Sequence, residues 1–314
     1  MSLRVVFFGN SEGAFSNRHF QALLASPCRV VGAVDVPPAR RVSTNLSPVR
    51  GSGFAEEARR QGIPVFEPAG PDTPEFVNAV RALCPDLFLA AGYLSLLGAE
   101  LLAVPRLAVN FHASLLPAYR GKHPLFWALR NGERRAGLTV HLMDTGFDTG
   151  DILYQVSVRV RPDETVAGLY DRIMARSLPL VSRLISDVEQ GSLRPRPQPD
   201  RGASHYSSVR EEDLRLDWSR PAGELRRWIR LSPGQCFHPI AGTKVYFLDA
   251  EVDRRPGSAP PGTLVELGKL GRESVSIATG KGALRVGKVR MSRGGERGAA
   301  EALRELGLKE GAAL

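Results

Sequence analysis

The opening of the chain places the strongest constraint on its fold. An apolar run from Leu3 to Phe8 is followed by Gly9-Asn-Ser-Glu-Gly13 and by a helical pattern that reaches Leu24. A strand, a glycine turn and a helix in this order are typical of a Rossmann-type α/β domain. The turn lacks the full G-x-G-x-x-G pattern, so we interpret it as architecture in preference to a dinucleotide site.

The same alternation continues along the first part of the chain. Strand-like runs cover residues 30–34, 63–66, 86–93 and 107–111. The last two runs are almost continuously apolar, as expected for strands that are buried on both faces of a parallel sheet. We therefore predict a Rossmann-like α/β domain over residues 1–189, with a parallel sheet covered by helices on both faces.

The composition changes after Glu189. Residues 190–204 carry prolines that alternate with polar residues, which favours a stiff, extended linker. Beyond it lie four short strand-like runs separated by glycine: 244–248, 262–266, 274–278 and 283–287. This spacing predicts a small C-terminal β-barrel of the OB-like type over residues 205–314.

Three polar side chains stand close together in a region that is otherwise rich in apolar residues. Asn110 and His112 are separated by one residue, so in an extended strand their side chains project from the same face. Asp148 follows in a tight loop, residues 144–151. Acyl transfer needs a donor for the oxygen that becomes negative, a proton-transfer group and a group that orients it. Asn110, His112 and Asp148 supply these three in that order.

The residues around this trio resemble a known signature. N-x-H-x-S-L-L-P covers Asn110 to Pro117, R-G follows at Arg120-Gly121, and G-x-T-x-H-x-M-D-x-G-x-D-T-G-D covers 137–151. These motifs resemble those of the 10-formyltetrahydrofolate-dependent formyltransferases, a family that includes methionyl-tRNA, amino-sugar and glycinamide ribonucleotide formyltransferases. The resemblance implies formyl transfer from the folate donor to an acceptor amine, without a metal.

The resemblance and the residue types together suggest a role for each member of the trio. Asn110 is expected to donate a hydrogen bond to the developing oxyanion, and His112 to donate another or to return a proton to the folate nitrogen. Asp148 is expected to hold His112 and to carry away the proton of the amine, directly or through one water. A carboxylate beside an imidazole favours the charged form, so we expect Asp148 to raise the pKa of His112.

Two further sets of contacts follow from the resemblance. The folate donor is expected against the end of the apolar run and the loop that carries Asp148: Leu89, Ala91, Gly92, Tyr93, Leu96, Met143, Asp144 and Gly146. The acceptor is expected against a basic loop and the region after His112: Arg40, Arg41, Arg50, Ser114, Leu115, Leu116, Pro117 and His141. A structural role is an equal alternative for His141. Ser114 is not interpreted as a hydrolase nucleophile, because its loop lacks the G-x-S-x-G elbow.

The sequence leaves the acceptor open between methionyl-tRNA and a smaller amine. Methionyl-tRNA is favoured by the two-domain layout, by the net charge of +9 and by Ser47-Pro-Val-Arg50, which resembles the end of the basic tRNA-contacting loop in methionyl-tRNA formyltransferases. An amino sugar or another small amine is favoured by the shortness of that loop and by residues 120–133, which are closer to the amino-sugar enzymes. Residues 231–237 also depart from the Asn-Pro-Trp-Pro-Gly that the tRNA enzymes usually carry there.

A third hypothesis belongs to a different class of protein. It is a basic nucleic-acid-binding protein on an inactive formyltransferase scaffold, and the presence of all three candidate catalytic side chains argues against it.

Other classes of protein are disfavoured by simple features of the chain. There is no long apolar run and no leading basic-plus-apolar segment, so we expect a soluble, cytoplasmic protein. Cys28, Cys84 and Cys236 are odd in number and far apart, so we predict neither a disulfide framework nor a zinc site, and expect three small buried side chains. A monomer fits the sequence, which does not fix the oligomeric state.

Overall fold

A computed structural model describes residues 2–37, 53–253, 259–268, 273–292 and 294–314. Contacts between residues divide the chain into two compact units. The first unit contains Met1–Leu125 and Arg134–Ser207, and the second contains Phe126–Glu133 and Ser208–Leu314. None of the described helices is long and apolar enough to cross a membrane.

Strands and helices alternate through the first unit. Its strands are β1 Arg4–Gly9, β2 Arg29–Asp35, β3 Val65–Phe66, β4 Leu87–Ala91, β5 Leu107–His112, β6 Arg120–Gly121, β7 Arg135–Leu142, β8 Ile152–Arg159 and β9 His205–Tyr206. Its helices are α1 Ala14–Leu24, α2 Phe54–Arg60, α3 Pro74–Ala82, α4 Ala99–Leu102, α6 Val166–Ser177 and α7 Pro179–Glu189. Helix α5, Pro124–Arg130, crosses the division between the units.

Seven of these strands form one sheet in the order β3-β2-β1-β4-β5-β7-β8. The first five are parallel, and the chain reverses its direction of travel across the sheet between β1 and β4, as in doubly wound folds. Strands β7 and β8 are antiparallel to their neighbours. The connection from Leu142 to Ile152 is shorter than the dozen or so residues that a parallel crossover needs. The predicted α/β class is therefore confirmed, with two antiparallel strands added at one edge.

Successive side chains of β1 point to opposite faces of the sheet, and these side chains are mostly apolar on both faces. Helices therefore cover both faces. Phe7 packs against Phe20 of α1 and Phe54 of α2, with ring centroids 5.2 Å and 5.1 Å away. Phe8 faces the other way, into a buried cluster with Val77 of α3 and Leu101 of α4. Strand β4 is buried along its whole length, which explains its continuous apolar sequence.

One histidine of helix α1 is completely buried in this layer. His19 has no exposed area and packs between the rings of Phe15 and Phe111, with centroids 4.4 Å and 4.8 Å away. Its Nδ1 lies 2.8 Å from the carbonyl oxygen of Phe15, which can only accept, so Nδ1 carries the hydrogen. Its Nε2 has no hydrogen-bond partner among the described residues. Burial lowers the pKa of His19 to about 4, and the bond to Phe15 opposes this only in part.

The low pKa of His19 makes the stability of the protein sensitive to acid. Unfolding returns His19 to its ordinary pKa of about 6.5, so the unfolded chain binds the proton first as the pH falls. The contribution of His19 to the free energy of unfolding is therefore fully present above about pH 6.5. It is lost as the pH falls toward 4, by up to about 3 kcal/mol. Urea denaturation at several pH values in this window should show the loss.

The matched variant for this prediction is His19→Asn, which keeps a side-chain N–H for Phe15 but does not titrate. Its free energy of unfolding should fall less steeply with acid than that of the parent, whatever its value at neutral pH. Some slope will remain, because burial also lowers the pKa values of His112, His123 and His238. Equal slopes in parent and variant would show that His19 does not carry the effect.

The second unit is built from short antiparallel strands. Its described strands are β10 Phe237–Ile240, β11 Thr243–Phe247, β12 Glu251–Asp253, β13 Leu264–Leu267, β14 Val275–Ala278, β15 Ala283–Val286, β16 Lys288–Met291 and β17 Glu296–Gly298. Its described helices are α8 Glu211–Leu214, α9 Ala222–Leu231 and α10 Ala299–Glu305. The strands form two four-stranded sheets, in the orders β10-β11-β16-β17 and β12-β15-β14-β13.

One apolar core joins the two sheets and the helices of this unit. Trp218, Leu225, Ile229, Phe247 and Leu303 are all buried within it. Residues of α5 also belong here: the carbonyl oxygen of Arg130 accepts a hydrogen bond of 3.2 Å from Nε1 of Trp228, and the Arg130 guanidinium lies 3.6 Å from the centroid of that ring. The predicted class, an α/β domain followed by a small antiparallel β domain, is confirmed.

The structure also differs from the sequence predictions in detail. Strands β10, β12, β16 and β17 are not predicted from the sequence, because each has only three or four residues; β10 even contains Pro239, which an edge strand tolerates. Strand β8 is not predicted either, although it has eight residues. Cys236 is buried, but Cys84 is exposed, so the expectation of three buried cysteines is wrong. Residues 190–204, predicted as a linker, fall within the first compact unit. The predicted domain boundaries stay predictions.

Candidate functional site

The structure brings the predicted trio together at one place in the first unit. Asn110 and His112 lie at the C-terminal end of β5, and Asp148 lies in the loop between β7 and β8. The Nδ2 of Asn110 donates to Oδ1 of Asp148 over 3.1 Å, and Nδ1 of His112 lies 3.4 Å from the same oxygen. Phe111, between them in sequence, points into the core. One carboxylate oxygen is therefore shared by the amide and the imidazole.

A second histidine completes this cluster. His141 of β7 is paired with Asn110 across the antiparallel strands. Its Nε2 lies 3.1 Å from Nδ2 of Asn110 and 3.4 Å from Oδ1 of Asp148. Its Nδ1 lies 2.7 Å from the carbonyl oxygen of Leu142. The predicted acceptor contact is thus a buried side chain that faces the trio.

The hydrogen-bond partners fix where the hydrogens lie in the neutral rings. The Nε2 of His112 is 2.7 Å from the carbonyl oxygen of Tyr119, and a carbonyl oxygen can only accept, so this nitrogen carries the hydrogen. Its Nδ1 therefore presents a lone pair toward Asp148. By the same argument Nδ1 of His141 carries the hydrogen and Nε2 accepts from Asn110. The amide nitrogen of Asn110 must face the carboxylate, because its oxygen would be repelled there.

Burial and charge act against each other at this cluster. Burial lowers the pKa of His112, and the Asp148 carboxylate and Tyr119 carbonyl raise it by less, so the net pKa is below its ordinary value. The expectation that Asp148 raises the pKa of His112 is confirmed, but burial outweighs this effect. Burial raises the pKa of Asp148, but His112, His141 and the hydrogen bond from the Gly121 N–H lower it further, to well below its usual range. At neutral pH the trio holds an ionised carboxylate and a neutral imidazole.

The backbone of Asp148 is held in an uncommon conformation. Its φ of 54° lies in the left-handed region, which costs a non-glycine residue on the order of 1 kcal/mol. The surroundings offset this cost: the Gly121 N–H donates to Oδ2 over 2.8 Å, and Nε2 of Gln198 donates to the Asp148 carbonyl over 2.8 Å. Nearby, a Cβ on Gly150 would overlap the carbonyl oxygen of Leu142, so only glycine fits there. Sequence reasoning identified Asp148 but missed Gln198, which lies 50 positions further on.

A buried hydrogen-bond network fixes the loop that follows His112. Thr139 of β7 donates from Oγ1 to the carbonyl oxygen of Ser114 over 2.7 Å and accepts from the Leu116 N–H over 3.0 Å. Gln155 of β8 donates to the Leu116 carbonyl over 2.8 Å. This network was not predicted, because it depends on the antiparallel pairing of β7 and β8.

The predicted acceptor contacts in this loop differ in how exposed they are. Ser114 and Leu116 are 3% exposed, and the Ser114 hydroxyl donates to the Ala118 carbonyl over 2.7 Å. Their side chains therefore have structural contacts in the free protein, and their contact with the acceptor stays a prediction. Leu115 and Pro117 are half-buried and remain candidates. Three further predicted contacts lie outside the described residues: Arg40, Arg41 and Arg50.

The predicted folate contacts also include both buried and exposed residues. Leu89 and Ala91 of β4 have no exposed area, so their side chains belong to the core, and a contact of this segment with the folate through its backbone stays a prediction. Tyr93 and Met143 are half-buried and pack against the same apolar cluster.

The remaining folate candidates lie nearer the surface. Leu96 is 38% exposed, and Gly92 and Gly146 are half-buried. Asp144 is exposed, and its Oδ1 accepts from the Gly146 N–H over 3.0 Å and from the Thr149 hydroxyl over 2.6 Å. Its carboxylate therefore closes the loop that carries Asp148. The described residues contain no group of three or more His, Cys, Asp or Glu side chains arranged to hold a metal ion.

The sequence of the chain is similar to those of known proteins. Residues 3–183 match the family model described as formyl transferase, and residues 208–306 match the formyl transferase C-terminal domain. A methionyl-tRNA formyltransferase of Synechococcus sp. (strain JA-3-3Ab) is 35% identical over 298 residues, which cover 92% of this chain and 91% of that protein. One from Pseudomonas paraeruginosa is 34% identical and covers 93% and 92%.

A solved structure shares the fold at much lower sequence identity. WlaRD, a sugar 3N-formyl transferase, superposes with a TM-score of 0.64 over 93% of this chain and 99% of its own, at 15% identity. Both family models match in the order that the two compact units follow, and the first alone covers more than half of the sequence. The chain belongs to the formyl transferase family.

Proposed function

We propose that this chain transfers a formyl group from 10-formyltetrahydrofolate to the amino group of methionyl-tRNA. The observation that carries the proposal is the meeting of Asn110, His112 and Asp148 around one carboxylate oxygen, at 3.1 Å and 3.4 Å. These are the three groups that an acyl transfer between nitrogen atoms requires. The folate donor is proposed from the resemblance of the motifs that carry these residues.

The choice of methionyl-tRNA as acceptor rests on the relatives and on charge. The two relatives that are 34% and 35% identical are both methionyl-tRNA formyltransferases, and each aligns over more than nine-tenths of its length. The sugar formyl transferase is only 15% identical, so it supports the fold alone. A net charge of +9 also suits a polyanionic acceptor, because each neutralised phosphate releases counterions.

In the first step the acceptor nitrogen attacks the formyl carbon, and the carbonyl electron pair moves onto the formyl oxygen. The Asn110 amide is the donor proposed for this oxygen. In the free protein Nδ2 of Asn110 lies 3.1 Å from both Asp148 and His141. We infer that one of these two bonds is exchanged for a bond to the oxyanion as it forms.

In the second step the bond between the formyl carbon and the folate nitrogen breaks. The acceptor nitrogen loses one proton and the leaving nitrogen gains one, so a single group can carry it between them. Nδ1 of His112 suits this role, because Nε2 is committed to the Tyr119 carbonyl and Nδ1 holds a free lone pair in the neutral ring. When Nδ1 takes the proton, the ionised Asp148 at 3.4 Å stabilises the charged ring.

The surroundings of the trio suit a flat aromatic donor molecule. Large apolar side chains are exposed next to the candidate folate contacts in sequence: Leu94 is 40% exposed and Phe147 is 51% exposed. Leu94 follows Tyr93 at the end of β4, and Phe147 stands between Gly146 and Asp148. An aromatic ligand bound here would remove apolar surface from water, which favours binding by roughly 25 cal/mol for each Å² that is covered.

The proposal is tested by supplying the purified protein with 10-formyltetrahydrofolate and either methionyl-tRNA or a nucleotide-linked amino sugar. We expect formyl-methionyl-tRNA to form and the sugar to stay unmodified. Binding of tRNA should also weaken steeply as salt rises. Formylation of the sugar alone would overturn the acceptor, and no transfer to either amine would leave the inactive-scaffold hypothesis in its place.

A further inference from the structure

The segment between the two family-model matches is attached to the catalytic loop. The models cover residues 3–183 and 208–306, so Gln198 lies outside both. Its Nε2 donates to the carbonyl oxygen of Asp148 over 2.8 Å and to that of Gly150 over 2.7 Å. Its Oε1 accepts from the Arg120 guanidinium, over 2.7 Å from Nη2 and 3.2 Å from Nε. The four hydrogen bonds of this amide therefore go to Asp148 itself, to Gly150 in the same loop and to Arg120.

These partners fix the orientation of the Gln198 amide. Two carbonyl oxygens can only accept, and a guanidinium can only donate, so a flipped amide would meet repulsion on both sides. The side chain is thus bound in one way, with its nitrogen on the Asp148 loop and its oxygen on Arg120.

The two segments that Gln198 joins both act on the Asp148 carboxylate. One is the Asp148 backbone itself, which holds a left-handed φ of 54°. The other is Arg120-Gly121, because the Gly121 N–H donates to Oδ2 of Asp148 over 2.8 Å. Gln198 is the side chain that links the carboxylate's own backbone to the strand that supplies its N–H donor.

The backbone around Gln198 is anchored on both sides. Before it, Arg196 exchanges two backbone hydrogen bonds with Ile152, of 2.8 Å and 2.9 Å. After it, strand β9 pairs with β6, and the ring of Tyr206 stacks on that of Tyr119 with centroids 5.1 Å apart. These anchors hold the Gln198 amide in place, so its side chain can transmit a fixed position to the catalytic loop.

We propose that Gln198 is a positioning residue for formyl transfer, which sets the Asp148 carboxylate against His112 and Asn110. This inference rests on the proposed function. It gives the segment after helix α7 a role in catalysis, and it predicts that losing the two N–H donors of Gln198 will slow turnover more than it weakens the binding of either substrate.

Two variants isolate the donors of this side chain. Gln198→Glu keeps the size of the side chain and an oxygen for Arg120 but loses both N–H donors, whereas Gln198→Leu loses the hydrogen bonds without adding charge. Small displacements of a reacting group cost up to about a hundredfold in rate. We therefore expect kcat to fall by about 10- to 100-fold in both variants, with the KM for folate donor and for acceptor nearly unchanged.

The control is the exposed Gln190, which directly follows helix α7 and whose Nε2 donates to the Ser186 hydroxyl over 3.0 Å. Gln190→Glu and Gln190→Leu should keep the kcat of the parent. Thermal melting of all four variants separates a positioning effect from loss of the fold. A fall in kcat at an unchanged melting temperature, in both Gln198 variants, supports the inference.

The inference is overturned if both Gln198 variants keep the parent kcat, or if only the glutamate variant loses activity, which would assign the effect to the added charge. It is also overturned if kcat falls only in proportion to a lowered melting temperature. These outcomes require a parent protein that formylates methionyl-tRNA. A parent that transfers no formyl group refutes the proposed function instead, so the two failures are distinguishable.

Discussion

Replacing Asp148 by asparagine is expected to lower kcat by about three to four orders of magnitude, as carboxylate-to-amide changes beside a catalytic histidine do. Asp148 is the acceptor at the centre of the cluster: Oδ1 meets Asn110 and both histidines, and Oδ2 accepts from Gly121. An amide has only one oxygen, so one of these contacts becomes a repulsion between like groups. It also has no charge to stabilise a protonated His112.

The measurement is single-turnover formyl transfer to methionyl-tRNA, because it reports the chemical step without product release. Asp171→Asn is the matched control: Asp171 lies in α6 of the same unit, and its exposed carboxylate pairs with Arg18 over 2.9 Å. That variant should keep the activity of the parent. An Asp148→Asn protein that retained more than about a tenth of the parent rate would remove the carboxylate from the mechanism.

The parts of the site that could be predicted from sequence are those set by local geometry. Asn110 and His112 share a face because a strand repeats every two residues, and β5 keeps that period to its last residue. The continuous apolar run of β4 predicts a strand that is buried on both faces, and β4 is buried along its whole length. The glycines around Asp148 predict a tight loop. One of them, Gly150, has to be a glycine because a Cβ there would overlap the carbonyl oxygen of Leu142.

The parts that could not be predicted depend on contacts between distant segments. Gln198 reaches Arg120 across 78 positions and Asp148 across 50, and no local pattern distinguishes it from the other polar residues of a proline-rich stretch. The pairing of β7 with β5 places His141 beside Asn110, and it is set by the sheet order. The complete burial of the Leu89 side chain is set in the same way, because a sequence does not show how deep in the sheet a residue lies.

The protonation state of His112 illustrates a balance that sequence alone cannot decide. A carboxylate neighbour raises the pKa of an imidazole, and burial lowers it. The motif shows that a carboxylate is near His112, and so predicts a raised pKa. Only the structure shows the burial that lowers the pKa, since His112 is 7% exposed. Burial is the larger effect here, so the free protein holds a neutral ring whose Nδ1 can accept a proton.

Replacing Asn110 by alanine is expected to lower kcat by about 10²- to 10³-fold, the usual cost of losing one oxyanion donor. The loss should appear mainly in kcat, because the oxyanion exists only in the transition state and the intermediates next to it. The control is Asn78→Ala, in helix α3, where the side-chain oxygen accepts only from an exposed arginine over 2.7 Å. It should leave kcat unchanged.

The same variant also tests whether Asn110 and Asp148 act as one unit. Because Nδ2 of Asn110 donates directly to Oδ1 of Asp148, the protein with both Asn110→Ala and Asp148→Asn should lose less activity than the two single losses multiplied together. Effects that simply multiply would mean that the two side chains act independently. Near-normal kcat in Asn110→Ala alone would show that the oxyanion is stabilised elsewhere, and His112 would then be the first donor to examine.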